Sequence, residues 1–258
     1  MNIYGLTDRG MQREANEDSI GITCLKNGIT IAVVCDGMGG AAGGKIASAI
    51  AEEVFMKSMT AFAQELNPAK IDSKKMKQAL KGSIEAANGA ILSRAKEDLS
   101  LFGMGCTLNA AVFCEQKSKL YFANIGDSRL YMITNKEIKQ LTKDHSYVQM
   151  LVDNKEISAE EAEHHPQKNL ITKALGTQNT AGPDVFDIKV VKRSSPYFLL
   201  CSDGLHGMLG KDVLQRIAIS EHSVEEKVFS YIKLANEAGG SDNISAILLE
   251  TGRSEVAK

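Results

Sequence analysis

Four short apolar runs along the chain each adjoin an aspartate that is flanked by glycine, serine or asparagine. The runs are rich in β-branched and other strand-forming side chains and have the length of a buried strand. In three cases the aspartate follows the run, and in the fourth it precedes the run. The four are residues 31–35 before Asp36 and Gly37, 120–125 before Gly126 and Asp127, 197–201 before Ser202 and Asp203, and 244–249 after Asp242 and Asn243.

A carboxylate at the end of a buried strand needs a partner, because an unpaired buried charge is costly unless it binds a metal. An Asp-Gly pair after a strand is more often a plain turn, so Asp36 alone is a weak signal. If the strands pair antiparallel, however, the end of one lies beside the beginning of its neighbour. Asp36, Asp127, Asp203 and Asp242 would then meet and repel one another unless cations separate them. The pattern therefore predicts a site for divalent metal ions.

The other segments predict an α+β fold. Strands separated by paired long helices, with several hairpins, favour a sandwich over strict βαβ alternation. Residues 144–176 lack a strand pattern and predict a flap of short polar helices inserted over the sheet edge. Apolar spacing predicts helices over 46–62, 72–95, 213–219 and 224–237, and alternation predicts further strands over 1–6, 19–25, 106–114, 129–134, 137–141 and 185–191.

Composition argues against two kinds of partner. The 258 residues carry 30 Lys+Arg against 32 Asp+Glu, a net charge of -2, so no broad basic face for nucleic acid is expected. No apolar run approaches the ~20 residues of a membrane span, and the N-terminus does not look like a signal peptide. The five cysteines form no CxxC pair, which predicts reduced, mostly buried thiols and a cytoplasmic location.

Seven segments, in order along nearly the whole chain, resemble motifs of one enzyme family. The family is that of the metal-dependent serine/threonine protein phosphatases, the PPM type also called type 2C, in its bacterial form. One such motif could arise by chance, but seven in sequence are highly specific. They are Arg13-Glu14-Ala15-Asn16-Glu17-Asp18, Val34-Cys35-Asp36-Gly37-Met38-Gly39-Gly40, Gly103-Met104-Gly105-Cys106-Thr107-Leu108, Gly126-Asp127-Ser128-Arg129, Leu141-Thr142-Lys143-Asp144-His145-Ser146, Cys201-Ser202-Asp203-Gly204-Leu205 and Gly240-Ser241-Asp242-Asn243.

The resemblance implies a four-layer α/β/β/α sandwich, in which two central, mostly antiparallel sheets are flanked by helix pairs. It predicts one catalytic domain over residues 1–252, with the flap subdomain at about 145–175 and a C-terminal tail at 253–258. We expect a monomer.

The resemblance also implies a ligand set for two core ions, Mn²⁺ or Mg²⁺. Asp36 would bridge both ions and the Gly37 carbonyl would bind one, while Asp203 and Asp242 would complete the other. Asp127 with Asp203 would hold a third, weaker ion. Every one of these ligands is an oxygen donor, which is the preference of both metals.

Three further residues take roles from the same resemblance. Glu17 and Asp18 would act through metal-bound waters, and Arg13 would fork onto the substrate phosphate, which its planar guanidinium suits. Two ions sharing one carboxylate can hold a water and lower its pKa. The hydroxide formed between them would attack the phosphorus of phosphoserine or phosphothreonine in line with the leaving oxygen.

The chain departs from the family pattern at three positions. Met38 stands where some members have histidine. Other bacterial members also have methionine there, so the identity of the acid that protonates the leaving oxygen is open. Cys106 replaces a usual threonine or serine and is expected to be a small buried residue. His206 follows the Asp203 motif and is expected to be a surface or packing residue, although it lies near enough to carry a proton.

Three alternatives compete with this interpretation. The segment 39–45 matches GxxxxGK, but Ile46 occupies the position at which a nucleotide-binding P-loop needs serine or threonine. A cysteine-dependent phosphatase needs arginine six residues after its thiolate, and none of the five cysteines has one. A non-catalytic relative that only binds phosphoproteins would be expected to lose ligand positions, and here each aspartate position is filled.

The sequence thus predicts a cytoplasmic signalling enzyme, a protein serine/threonine phosphatase. Its partners would be phosphorylated proteins, including a serine/threonine kinase whose action it reverses. Neither nucleic acid nor a membrane is expected as a partner.

Overall fold

The computed structural model describes residues 1–39, 43–191 and 196–252. Gly40 of the predicted glycine-rich motif and the predicted tail at 253–258 lie outside these ranges. The strands are β1 Asn2–Asp8, β2 Ser19–Cys24, β3 Ile29–Cys35, β4 Gly37–Met38, β5 Gly105–Cys106, β6 Leu108–Cys114, β7 Lys119–Ile125, β8 Arg129–Ile133, β9 Ile138–Gln140, β10 Asp184–Lys189, β11 Tyr197–Cys201 and β12 Ile244–Glu250. The helices are α1 Gly43–Gln64, α2 Ser73–Glu97, α3 Tyr147–Asp153, α4 Ala159–His164, α5 Asp203–His206, α6 Lys211–Ala218 and α7 Val224–Glu237.

Two five-stranded sheets form the centre of the molecule. One has the order β1-β12-β11-β8-β9 and the other the order β10-β7-β6-β3-β2, and every paired neighbour runs antiparallel. The short strands β4 and β5 pair separately. Strands β3, β6 and β7 are buried along nearly their whole length, because both faces of their sheet are covered.

Apolar side chains fill three layers, which defines the stacking of the elements. Between the sheets, residues such as Val34, Phe122 and Leu200 pack face to face. A second cluster joins the β3 sheet to α1 and α2, and a third joins the β11 sheet to α6 and α7. The predicted four-layer α/β/β/α sandwich with paired flanking helices is confirmed.

Some predicted boundaries were wrong in instructive ways. The predicted strand 106–114 is two strands, since Thr107 between them donates its backbone N–H to the carbonyl of Asp36 at 2.8 Å. Helix α1 begins at Gly43, three residues before the predicted start, and α6 begins two residues early. The predicted α7 matches the structure residue for residue, and β12 covers the whole of the apolar run 244–249.

The predicted flap region contains α3 and α4, joined to the body at its two ends. Its ends pair with each other through a bridge between Ser146 and Ile171, and Leu175 bridges to Cys106. Among the described residues, no helix has both the length and the apolar composition required to cross a bilayer.

Candidate active site

The topology carries the four aspartates to one edge of the stacked sheets. In the β11 sheet, Cys201 pairs with Ala246, so the end of β11 lies beside the start of β12 and brings Asp203 to Asp242 as predicted. In the other sheet β3 and β7 are not neighbours, since β6 lies between them. They run in the same direction, however, so both end at the same edge. Asp127 occupies the turn that leads from β7 in one sheet to β8 in the other.

A cavity of about 750 Å³ opens at this edge. Its lining includes the four aspartates, and it also includes Arg13 and Glu17 from the loop after β1. The lining residues of the sequence prediction are Arg13, Glu17, Asp36, Gly37, Asp127, Asp203 and Asp242. The eighth predicted residue, Asp18, is buried just behind them. The structure therefore brings the whole predicted set together.

The backbone around Asp36 is held from several directions. Its N–H donates to Thr107 Oγ1 at 3.0 Å, and its carbonyl accepts from the Thr107 N–H. A side chain at Gly37 would collide with the backbone oxygens of Gly44 and Glu17, so glycine is required for this close approach. The loop after β3 is therefore fixed against α1 on one side and the β5 segment on the other.

The carboxylates influence one another strongly. Burial, with the charges of Asp18, Asp203 and Asp127, raises the pKa of Asp36 well above its usual value. Burial and the charges of Asp203 and Asp144 raise the pKa of Asp127 to about 8. Burial and the neighbouring Asp242 also raise the pKa of Asp203. Clustered, buried carboxylates of this kind oppose their own ionisation and favour a cation.

Two buried oxygens support the fit of a divalent cation. Asp203 Oδ1 and Asp18 Oδ1 are both shielded from solvent and make no hydrogen bond. With the other carboxylates and the Gly37 carbonyl, they form an all-oxygen donor set of the type that Mg²⁺ and Mn²⁺ accept. Within the described ranges, no three acidic, histidine or cysteine side chains already stand as a closed metal cage. The donors lie at the cavity or just behind it, and one of them, Asp242, is paired to Arg13.

Asp18 is held from behind by a hydroxyl. Ser245 Oγ donates to Asp18 Oδ2 at 2.6 Å, and both side chains are buried. Burial, offset in part by this hydrogen bond, raises the pKa of Asp18 to about 7. Glu17, by contrast, lines the cavity itself and its backbone N–H donates to Asn243 Oδ1 at 2.8 Å.

The three departures from the family pattern have different surroundings. Met38 lines the cavity and presents no proton donor there. Cys106 is fully buried, as predicted, with its thiol directed to the carbonyl of Ala47. His206 is tied by Nε2 to the carbonyl of Asp127 at 3.1 Å, so it packs against the turn that carries Asp127.

Several residues that shape the site had no role assigned to them from the sequence. Asn243 donates to the carbonyls of Arg9 and Ala15 and so fastens the Arg13 loop to the start of β12. Asn169 and Ile171 of the flap also line the cavity. The one available signal was polar residues inside apolar runs, as with Ser245 in β12; nothing in the sequence pointed to Asn169.

An acidic, oxygen-lined cavity with an arginine at its rim, at one edge of a two-sheet sandwich, is typical of hydrolases that use divalent cations on phosphate esters. A family model described as protein phosphatase 2C matches residues 10–248. The chain belongs to the protein phosphatase 2C family, the metal-dependent PPM phosphatases, which confirms the resemblance drawn from its motifs. Membership in this family also rejects the P-loop and cysteine-phosphatase alternatives.

Known proteins of the family align with nearly the full chain. The serine/threonine phosphatase stp of Listeria welshimeri is 37% identical over 244 residues, which cover 95% of this chain and 93% of that protein. The crystal structure of the serine/threonine phosphatase Stp1 from Staphylococcus aureus has a TM-score of 0.86 at 33% identity, covering 96% of this chain and 94% of that one. The catalytic domain of the phosphatase PstP, solved with two manganese ions, has a TM-score of 0.78 at 30% identity, covering 96% and 97%.

Proposed function

We propose that this chain removes phosphate from phosphoserine and phosphothreonine in proteins, at the cavity lined by the four aspartates, with Mn²⁺ or Mg²⁺ as cofactor. The observation that carries the proposal is the convergence of Asp36, Asp127, Asp203 and Asp242 from separate strand ends on one cavity with Arg13 at its rim. Full-length relatives named as serine/threonine phosphatases support the substrate class.

The proposed ligand assignment follows the position of each group. Asp36, with the Gly37 carbonyl, would serve two core ions, and Asp203 and Asp242 would complete the coordination of one of them. Asp127 would hold a third, weaker ion with Asp203, and Glu17 and Asp18 would contribute through water. When bound, the cations would supply an activated water and neutralise charge on the phosphate oxygens.

The protein's own residues would hold the substrate and the donors in place. Arg13 would exchange Asp242 for the phosphate and bind two of its oxygens through the guanidinium fork. Ser245 would keep Asp18 turned toward the cavity. The flap would cover one side of the cavity through Asn169 and Ile171, and so influence which phosphoproteins reach it.

The proposed biological setting is the reversal of a serine/threonine kinase in the cytoplasm, by a monomeric, single-domain enzyme. This setting is the one that the sequence predicts.

The test compares a phosphothreonine peptide with the matched phosphotyrosine peptide, with manganese and then with EDTA. We expect rapid phosphate release from phosphothreonine with manganese, little from phosphotyrosine, and none from either with EDTA. Turnover that persists in EDTA would contradict the metal proposal. Binding of the phosphothreonine peptide without turnover at any metal concentration would instead support the non-catalytic alternative.

A further inference from the structure

The two ends of the flap pair with each other in a short antiparallel ladder. The Thr172 N–H donates to the carbonyl of His145 at 2.7 Å, and the Tyr147 N–H donates to the carbonyl of Leu170 at 2.8 Å. The bridge between Ser146 and Ile171 lies between these two bonds. We call residues 145–147 and 170–172 the neck of the flap. Its second strand carries Ile171 into the lining of the cavity.

His145 joins this neck to the turn before Asp127. Its backbone N–H donates to the carbonyl of Gly126 at 2.9 Å, and its ring Nδ1 accepts from the Gly126 N–H at 3.2 Å. Because Nδ1 is an acceptor, the proton of the neutral ring is on Nε2, which donates to Asp184 Oδ2 at 3.2 Å. The side chain is 10% exposed. A single residue thus contacts the turn, the far strand of the neck and β10.

The residue before His145 fastens the other side of the same turn. The Asp144 carboxylate accepts three hydrogen bonds from the Arg129 guanidinium, at 2.7, 3.0 and 3.1 Å. Gly126 and Arg129 lie on either side of Asp127 in the sequence. The dipeptide Asp144-His145 therefore holds the turn at two points, one before Asp127 and one after it.

We propose that His145 is a positioning residue that couples the flap to the Asp127 turn and so sets where Asn169 and Ile171 stand over the cavity. The part of this inference that concerns catalysis rests on the proposed function, and the structural coupling does not. His145 is not among the residues that line the cavity. The Gly126 N–H is buried, and the His145 ring supplies its acceptor. Without the ring nitrogen this donor would lose its hydrogen bond.

Two substitutions separate the ring nitrogens. Asparagine places an amide oxygen near the position of Nδ1 and can still accept from Gly126, whereas glutamine places its amide near Nε2 and can reach only Asp184. The measurements are hydrogen exchange of the amides of Tyr147 and Thr172, with no substrate present, and kcat and KM on a phosphothreonine peptide with manganese. Asp184→Asn, which keeps an acceptor for Nε2, is the matched control.

We expect His145→Gln to accelerate exchange at both neck amides by about tenfold, and to raise KM for the peptide by about the same factor, the usual effect of losing one buried hydrogen bond. His145→Asn should restore both values to within about twofold of the wild-type chain. Equal effects of the two substitutions, or unchanged neck exchange in His145→Gln, would overturn the inference.

Two further outcomes are distinguishable. If His145→Gln does not fold, His145→Leu replaces it, because leucine fills much of the ring's volume without an acceptor for the Gly126 N–H and should also accelerate neck exchange; unchanged exchange in that variant refutes the coupling. Absence of manganese-dependent hydrolysis by the wild-type chain would refute the proposed function, while the exchange measurement would still decide the coupling.

Discussion

The guanidinium of Arg13 lies 2.7 Å from the carboxylate of Asp242, although 229 residues separate them in the sequence. The side chains are 54% and 31% exposed, and an ion pair of that exposure contributes only about 0–1 kcal/mol. Arg13 can therefore leave Asp242 at little cost. A phosphate at the rim would offer the same guanidinium two charged oxygens in place of one carboxylate.

Arg13→Ala should raise KM for a phosphothreonine peptide and leave kcat nearly unchanged. A charge-assisted hydrogen-bond pair of this kind is worth about 1.5–3 kcal/mol, which corresponds to about 10- to 100-fold in KM. Arg13 would bind the phosphate equally well in the ground state and in the transition state. Loss of this interaction should therefore raise KM without lowering kcat. Steady-state kinetics measure the split, and Arg94→Ala, in a surface pair on α2, serves as the control. An unchanged KM would contradict the assignment.

Asp36→Asn and Asp242→Asn should each lower kcat for a small aryl phosphate by about a thousandfold or more, since metal-assisted charge stabilisation is worth several kcal/mol. Asp212→Asn, an exposed position on α6, is the control and should retain activity. Activity within tenfold of the wild type in the Asp36 variant would contradict a bridging role.

The same Asp36→Asn change should raise Tm when it is measured in EDTA at pH 7. Burial and neighbouring carboxylates raise the pKa of Asp36 in the folded chain, so folding at pH 7 opposes its ionisation. This penalty is absent below the pKa of the unfolded chain, about 4, and develops as the pH rises above it. Asparagine carries no charge and removes this penalty. For a chain of this size, each kcal/mol of stability gained raises Tm by about 2–4 °C. Scanning calorimetry would measure the Tm of both chains. A lower Tm in the variant would show that the ionised Asp36 does not destabilise the folded chain.

Asp127→Ala should reduce turnover while two ions remain tightly bound. Asp127 occupies the turn between β7 and β8, and the proposed assignment gives it no part in holding the two core ions, so its removal should affect only the proposed third ion. Metal counting after gel filtration in dilute manganese would give two ions per chain for both proteins. A variant that retains fewer than two would place Asp127 in the core site.

How much the sequence could predict depended on how local each signal is. Asp36 follows an apolar, strand-like run directly and Asp127 follows another after one glycine, so both the strand and the functional residue can be recognised within ten positions. The sequence predicted one continuous strand through Thr107. The structure has a break there, because Thr107 forms hydrogen bonds with the backbone of Asp36, which is far away in the chain. A local sequence pattern can identify a strand or a helix, but it does not show which distant residue will form hydrogen bonds with it.

The residues that orient the site were not predicted for the same reason. Glu17 and Asn243 are separated by 226 residues, and Asp18 and Ser245 by 227. These contacts exist because β1 pairs with β12, with Thr7 opposite Ser245, and that register depends on the packing of the whole sandwich. A buried serine in an apolar strand was a visible anomaly, but its partner could be known only from the fold.

Ser245→Ala should weaken manganese binding by about 10- to 100-fold, the usual effect of losing a group that orients a metal-site carboxylate. The Oγ of Ser245 donates to Asp18 at 2.6 Å, and alanine would leave that buried oxygen without this donor. Titration calorimetry with manganese measures the loss, and Ser230→Ala, on an exposed face of α7, is the control. Saturating manganese should restore most of the lost turnover, because the donors remain and only their orientation is relaxed. Equal manganese affinity in both variants would mean that Asp18 is held without Ser245.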